Sequence, residues 1–129
     1  MKKILITRRL PKLCEEKASK IFDVKLNSND ELYSQTKLIE LSKECDGILT
    51  SITDKIDEET INKLSDTVKI ISNFAVGFGN IDLKAAKKRN LAVTNTPDVL
   101  TDATAEIAIL LILGAARRAS EGIEHAKKS

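Results

Sequence analysis

Two glycines one residue apart, Gly77 and Gly79, have the spacing that most suggests chemistry in this chain. They lie in NFAVGFGNID, residues 73–82, between an apolar run and a segment with helical periodicity. A turn of this kind can leave main-chain N–H groups free, and free N–H groups can hold a phosphate or a carboxylate. The spacing therefore allows an anion site for a dinucleotide or for a small acid.

The dinucleotide alternative fits poorly. Asp82 replaces the third glycine of the GxGxxG pattern, and its carboxylate would face the pyrophosphate at the start of the helix. The acidic residue expected about 20 positions further on could only be Asp98, which follows Pro97. Two alternatives remain: a tight turn that needs glycine for a positive φ or for lack of space for Cβ, and a small anion bound by the amides of Val76 and Gly77.

Strands and helices alternate regularly in the predicted chain. Five apolar, partly β-branched runs predict strands at 3–7, 23–27, 47–51, 68–76 and 91–96. The first intervening helix has Leu13, Ala18 and Ile21 on one side, and Asp57 and Asp82 can cap two later helices. Such alternation predicts a parallel sheet covered on both faces. The predicted fold is α/β: a flavodoxin-like, doubly wound, five-stranded parallel sheet.

The last third of the chain predicts a long apolar C-terminal helix. From Ile107 to Ala116 every residue is apolar or glycine, and Asp102 can cap the helix. About 20 apolar residues are needed to cross a bilayer, so we predict no membrane span. A helix apolar on all sides must be enclosed. We expect residues 103–116 to be covered by self-association, by a partner or by folding back on the sheet.

Composition excludes several classes of protein. The balance of 21 basic against 19 acidic residues, with one Tyr, three Phe and no Trp, does not suggest nucleic-acid binding. Cys14 and Cys45 form no CxxC motif, which predicts neither a disulfide framework nor a metal site. The apolar stretch at the N-terminus is too short for a signal peptide, so the predicted compartment is the cytoplasm.

The stretch ISNFAVGFGNIDLKAAKKRNLAVTNTPDVLTDATAEIAILLILGAARR, residues 71–118, resembles the NAD(P)-dependent D-isomer-specific 2-hydroxyacid dehydrogenases, particularly the glyoxylate and hydroxypyruvate reductase branch. The preceding alternation, including MKKILITRRLP, is similar to the substrate domain of that family. The resemblance implies a substrate-binding domain at residues 1–100. It also implies an inter-domain helix at 101–129 that leads into an NAD(P)-binding domain missing from this chain.

The resemblance also implies site residues. The turn at Val76 and Gly77 presents main-chain amides to the carboxylate of a small 2-oxo or 2-hydroxy acid, and the loop at Ser51 and Ile52 borders the same pocket. Thr104 lies near the nicotinamide end of the cofactor cleft. The arginine, glutamate and histidine of hydride transfer belong to the missing part, so we predict no catalytic residue in this chain.

Three functions remain open. In the first, the chain is a truncated substrate-binding part of a dehydrogenase, which by itself binds neither NAD nor NADP and is inactive. In the second, it is a stand-alone module that binds a carboxylate or a protein without catalysis. In the third, it is one half of a split enzyme. The sole histidine, His125, lies in a polar tail, and we predict no catalytic role for it.

Overall fold

Five strands, all parallel, form a single sheet in the computed structural model, which describes residues 1–128. The strands are β1 Lys3–Ile6, β2 Asp23–Lys25, β3 Gly47–Ser51, β4 Ile70–Phe74 and β5 Ala92–Thr94. Their order across the sheet is β2-β1-β3-β4-β5, which is the order of flavodoxin-like sheets. The predicted five-stranded parallel α/β sheet is confirmed.

Four helices connect these strands: α1 Lys12–Ile21, α2 Gln35–Ser42, α3 Glu58–Lys63 and α4 Leu83–Lys88. Two of them begin at the predicted caps. The Asp57 carboxylate accepts a hydrogen bond from Thr60 N at 3.0 Å, and the Asp82 carboxylate accepts one from Ala85 N at 2.9 Å. A carboxylate at this position satisfies a first-turn N–H that has no partner within the helix. Both predicted caps are confirmed.

The hydrophobic core lies between one face of the sheet and helices α2, α3 and α4. Alternate side chains of a strand point to the same face, and Ile48 of β3 and Ile71 of β4 are 2% and 0% exposed. Leu38, Ile61 and Ala85 contribute to this core from the three helices. The apolar face of each helix therefore determines its position against the sheet.

The opposite face of the sheet is only partly covered within residues 1–97. Ile70 is 37% exposed and Phe74 is 49% exposed, and a cavity of about 350 Å³ opens on this side. Helix α1 lies near β2 and buries none of its residues. Leu13 and Ile21 are 62% and 63% exposed. Within residues 1–97 the predicted cover of both faces is only partial, because three of the four helices pack on the same side.

The chain divides into two compact units, with a boundary after Pro97. The second unit contains α5 Thr101–Ala116 and α6 Ala119–Lys128. The described part of 101–129 is therefore not a single helix, because Arg118 has a φ of 52°, in the left-handed region. The predicted cap at Asp102 is wrong: Leu100 is the N-cap residue, and Asp102 lies in the first turn.

The apolar side chains of α5 are exposed along its length. Ile107, Leu110 and Ile112 are 55%, 62% and 67% exposed. None of the helices in residues 1–128 combines the length and hydropathy needed to span a bilayer.

Candidate substrate-binding site

The candidate site lies where β3 and β4 end at the carboxyl edge of the sheet, the edge at which parallel α/β sheets bind ligands. Residues 51–54 form the β3 loop, and residues 75–80 form the β4 turn. Ser51 and Phe74 are paired in the register of β3 and β4. The two segments that the resemblance assigned to the substrate therefore follow adjacent strands.

The β4 turn carries the two amides that were predicted to hold a carboxylate. Val76 is half-buried and Gly77 is exposed. Within residues 1–128, neither N–H group has a hydrogen-bond acceptor. In the β3 loop, Ser51 Oγ lies 3.0 Å from Thr53 Oγ1, and Ile52 is 64% exposed. All four predicted residues lie in these two adjacent segments.

The fold itself does not require glycine in the β4 turn. Neither Gly77 nor Gly79 has a positive φ, and a Cβ built on either would meet no atom of the described chain within 4 Å. The alternative of a tight turn that needs glycine for its own geometry is therefore wrong. Open space beside Gly77 is instead what a ligand needs to approach the main chain closely.

Two asparagines connect the β3 loop to the β4 turn. Asn80 Nδ2 donates to the carbonyl oxygens of Ser51 and Asp54, both at 3.1 Å. Asn73 Nδ2 donates to Gly77 O at 2.8 Å and to Asn80 Oδ1 at 3.0 Å. Asn73 is 2% exposed, so its amide needs these partners. The two segments are held in one arrangement by side-chain amides bonded to main-chain carbonyls.

Asp54 is a buried carboxylate that organises the β3 loop and that the sequence analysis missed. It is 2% exposed, and its Oδ2 accepts from Thr7 Oγ1 at 2.5 Å and from Thr50 Oγ1 at 2.8 Å. Ser51 N also donates to Oδ2, at 3.1 Å. Three donors on one oxygen offset part of the cost of burying a carboxylate. The sequence did contain a signal for a buried hydrogen-bond acceptor here, because a threonine lies near the end of each of two neighbouring strands.

Arg8 connects the β3 loop to the segment after β2. Its Nε and Nη2 donate to the two carboxylate oxygens of Asp30 at 2.8 and 3.1 Å, and its Nη1 donates to Thr53 Oγ1 at 2.8 Å. The Arg8 guanidinium, together with the Arg9 N–H, holds the pKa of Asp30 well below its usual range. Because Arg8 is paired in this way, its role here is structural.

The start of α4 does not fit a dinucleotide pyrophosphate. The Asp82 carboxylate already accepts the Ala85 N–H at this end, and α4 has only six residues. A carboxylate at a helix N-terminus opposes a bound phosphate, because it competes for the same N–H groups and repels the anion. We therefore assign no reaction step to NAD(P) at this turn.

Thr104, predicted to lie near the cofactor, belongs to the second unit. It lies in the first turn of α5, where it is exposed and its N–H donates to Leu100 O at 3.0 Å. Its contact with a cofactor stays a prediction. His125 lies in α6. In residues 1–128, no three His, Cys, Asp or Glu side chains are grouped so that they could hold a metal ion.

Comparison with known proteins agrees with the resemblance. Glycerate dehydrogenase from Hyphomicrobium methylovorum is 42% identical over 121 residues, which are 94% of this chain and 38% of that protein. Glyoxylate reductase from Thermococcus litoralis is 40% identical over 119 residues, which are 92% of this chain and 36% of that protein. The crystal structure of a glyoxylate reductase from Paecilomyes thermophila superposes with a TM-score of 0.77 at 28% identity, covering 92% of this chain and 39% of that chain.

This chain thus spans 36% to 39% of the length of these three proteins. Residues 4–126 match the family described as D-isomer specific 2-hydroxyacid dehydrogenase, catalytic domain. The match covers both described units, including α5 and most of α6. The chain therefore belongs to the D-isomer specific 2-hydroxyacid dehydrogenase family.

Proposed function

We propose that this chain is the substrate-binding part of an NAD(P)-dependent D-2-hydroxyacid dehydrogenase of the glyoxylate/hydroxypyruvate reductase type. The observation that carries the proposal is the pair of free N–H groups at Val76 and Gly77, in a turn whose glycines the fold does not need. The names of the two relatives, glycerate dehydrogenase and glyoxylate reductase, support a small 2-hydroxy or 2-oxo acid as the ligand.

In this proposal the β4 turn binds and orients the acid. Main-chain N–H groups form charge-assisted hydrogen bonds with a carboxylate and require no side-chain ordering. Ser51 and Ile52 border the bound acid, with an exposed apolar side chain at Ile52. NAD or NADP, when bound elsewhere in such an enzyme, supplies or takes the hydride. The contribution of this chain is to hold the 2-carbon of the acid in a fixed position for that transfer.

The proposal predicts binding without turnover for residues 1–129 alone. Titration with glycolate, followed by ¹⁵N NMR, should shift the amide resonances of Val76 and Gly77 most strongly, with smaller changes at Ser51 and Ile52. Glycolamide, which lacks the carboxylate, is the matched control and should shift none of them. The same chain should oxidise no NADH in the presence of glyoxylate. Glycolate shifts that avoid the β4 turn, or NADH oxidation by this chain, would refute the proposal.

A second candidate function rests on α5. Its exposed apolar side chains, including Leu110 at 62% and Leu111 at 66%, favour an association surface over residues 103–116. We propose that a second copy of the chain, or a protein partner, covers this surface. This role is compatible with carboxylate binding at the β4 turn, and it also includes the split-enzyme alternative, in which the partner carries the cofactor domain.

The compartment is a further proposal. Both cysteines of the chain are free, Cys14 exposed and Cys45 buried. Free thiols are typical of a reducing environment. We therefore propose a cytoplasmic location, which fractionation of the source cells would test.

A further inference from the structure

Three consecutive carbonyl groups of the β4 turn, those of residues 75–77, are hydrogen-bonded to β4 or to the segment after β5, whereas the amides that follow them have no acceptor within residues 1–128. The pairs are Ala75 O with Thr96 N at 2.9 Å, Val76 O with Asn95 Nδ2 at 2.7 Å, and Gly77 O with Asn73 Nδ2 at 2.8 Å. All three donors belong to the first unit, one at the end of β4 and two directly after β5. The turn is therefore held through its carbonyl oxygens.

Because the peptide group is planar, a hydrogen bond to a carbonyl oxygen also sets the direction of the N–H group of the next residue. No cis peptide bond occurs in the described residues, and in a trans peptide the C=O and the N–H point in opposite directions. Fixing the carbonyl of one residue thus fixes the N–H of the next. The N–H groups set in this way are those of Val76, Gly77 and Phe78, and none has an acceptor within residues 1–128.

Among these three residues, the direction of the N–H group depends most on a hydrogen bond to the preceding carbonyl at Gly77. A glycine has no Cβ to restrict its φ, so the peptide plane between Val76 and Gly77 can rotate more easily than its neighbours. The side chain that opposes this rotation is Asn95, whose Nδ2 donates to Val76 O at 2.7 Å. Asn95 is half-buried and lies 19 residues from Val76 along the chain.

We propose that Asn95 is a positioning residue of the carboxylate site. Its side-chain amide holds the Val76–Gly77 peptide so that the Gly77 N–H is directed toward the ligand before the ligand arrives. Asn73 acts in the same way on the Gly77–Phe78 peptide, which adds the Phe78 N–H as a third donor. This inference rests on the proposed function, because it assigns a ligand to the same amides.

Glycolate binding by the Asn95→Ala variant tests the proposal. Loss of the contact should raise the Kd for glycolate about tenfold, the size expected when a charge-assisted hydrogen bond is weakened. Asn62→Ala is the matched control, because Asn62 is exposed on α3, away from both segments. The control should leave the Kd unchanged. An unchanged Kd in Asn95→Ala would overturn the positioning role.

Two NMR measurements separate positioning from general destabilisation. In Asn95→Ala, the N–H residual dipolar coupling of Gly77 should change, while those of Val76 and Phe78 stay close to the parent values because Thr96 and Asn73 remain. In the parent chain without ligand, the Gly77 N–H should be rigid, with an order parameter of about 0.85. A mobile Gly77 N–H, with an order parameter below about 0.6, would overturn the proposal without any variant.

Titrations of the parent chain and of Asn95→Ala separate the role of Asn95 from the proposed function. If the parent chain binds glycolate at the β4 turn and Asn95→Ala binds it equally well, only the role of Asn95 is lost. If the parent chain shows no glycolate shifts at the turn, the proposed function is lost, and the role of Asn95 is lost with it.

Discussion

At the scale of single residues, the candidate site consists of main-chain groups. The carboxylate, guanidinium and amide side chains around it are engaged with the chain itself: Asp54 with hydroxyls, Arg8 with Asp30, and Asn73 with a carbonyl. What is left for a ligand is a set of N–H groups beside an open glycine. In the proposed function, main-chain amides recognise the ligand, so no single side chain in the sequence marks the site.

Gly77→Val should weaken glycolate binding about tenfold or more, because a β-branched side chain would occupy the space beside the free amides and cost at least one charge-assisted hydrogen bond. The variant should still fold, since a Cβ at this position meets no described atom within 4 Å. Gly79→Val is the matched control, because Gly79 has the same open surroundings, and its Kd should stay close to that of the parent. Kd values from NMR titration measure the effect. Equal affinities for Gly77→Val and the parent would exclude the Gly77 amide from the site.

The Arg8–Asp30 pair predicts a loss of stability in acid. In the folded chain, the hydrogen bonds that Asp30 accepts from the Arg8 side chain and from the Arg9 N–H lower the pKa of Asp30. At a pH above the pKa of Asp30 in the unfolded chain, about 3.9, the pair therefore stabilises the fold. This stabilisation is lost as the pH falls from there through the pKa of Asp30 in the folded chain. Asp30→Asn should reduce the fall in unfolding free energy between about pH 5 and pH 2.

Urea denaturation at a series of pH values measures this difference. Glu40→Gln is the control, because Glu40 is an exposed carboxylate of α2. It should keep the pH dependence of the parent. A fall of the same size in Asp30→Asn and the parent would show that the pair does not stabilise the fold.

At the scale of secondary structure elements, the sequence predicted the regular parts well. β3 has the predicted bounds, and Asp57 and Asp82 cap α3 and α4 as expected. These features depend on local patterns: alternation of apolar residues, β-branched runs and a carboxylate before a helix. The break between α5 and α6 was missed, because neither glycine nor proline marks it and Arg118 takes the positive φ.

Asp82→Ala should lower the unfolding free energy by about 1 kcal/mol, the usual cost of losing a helix N-cap. The reason is local, since the Ala85 N–H would lose the carboxylate that it donates to at 2.9 Å. Urea denaturation at neutral pH measures the change. Lys84→Ala, at an exposed position of the same helix, should change stability far less. If the two variants are equally stable, the cap does not contribute.

At the scale of the whole molecule, two surfaces are open. One is the sheet face that carries Ile70 and Phe74 in the first unit, and the other is the apolar surface of α5 in the second. Each groups exposed apolar side chains in one place, and grouped apolar exposure is typical of association sites. The sequence predicted the second surface from an unbroken apolar run but did not predict the first. The open sheet face arises from the packing of α2, α3 and α4 on the same side.

We expect the 129-residue chain to self-associate through α5. Sedimentation velocity should show a species larger than the 14.2 kDa monomer whose population grows with concentration. Leu111→Glu, at a position 66% exposed, should shift the chain toward monomer. Leu32→Glu is the matched control, because Leu32 is 65% exposed but lies in the first unit. A parent chain that stays monomeric at every concentration would refute the prediction.

The amino-acid sequence was enough to predict the five strands, the four helices between them, two helix caps and, through its resemblance, the family and the segment that contains the free amides. These follow from local patterning and from a run of neighbouring residues that resembles the family. How the amides are held follows from the tertiary structure, because residues from other segments donate hydrogen bonds to the carbonyls of the β4 turn, as Asn95 does to Val76. It also showed that Gly77 has open space beside it. Contacts between residues far apart in the chain depend on how the strands align, and no local pattern encodes that alignment.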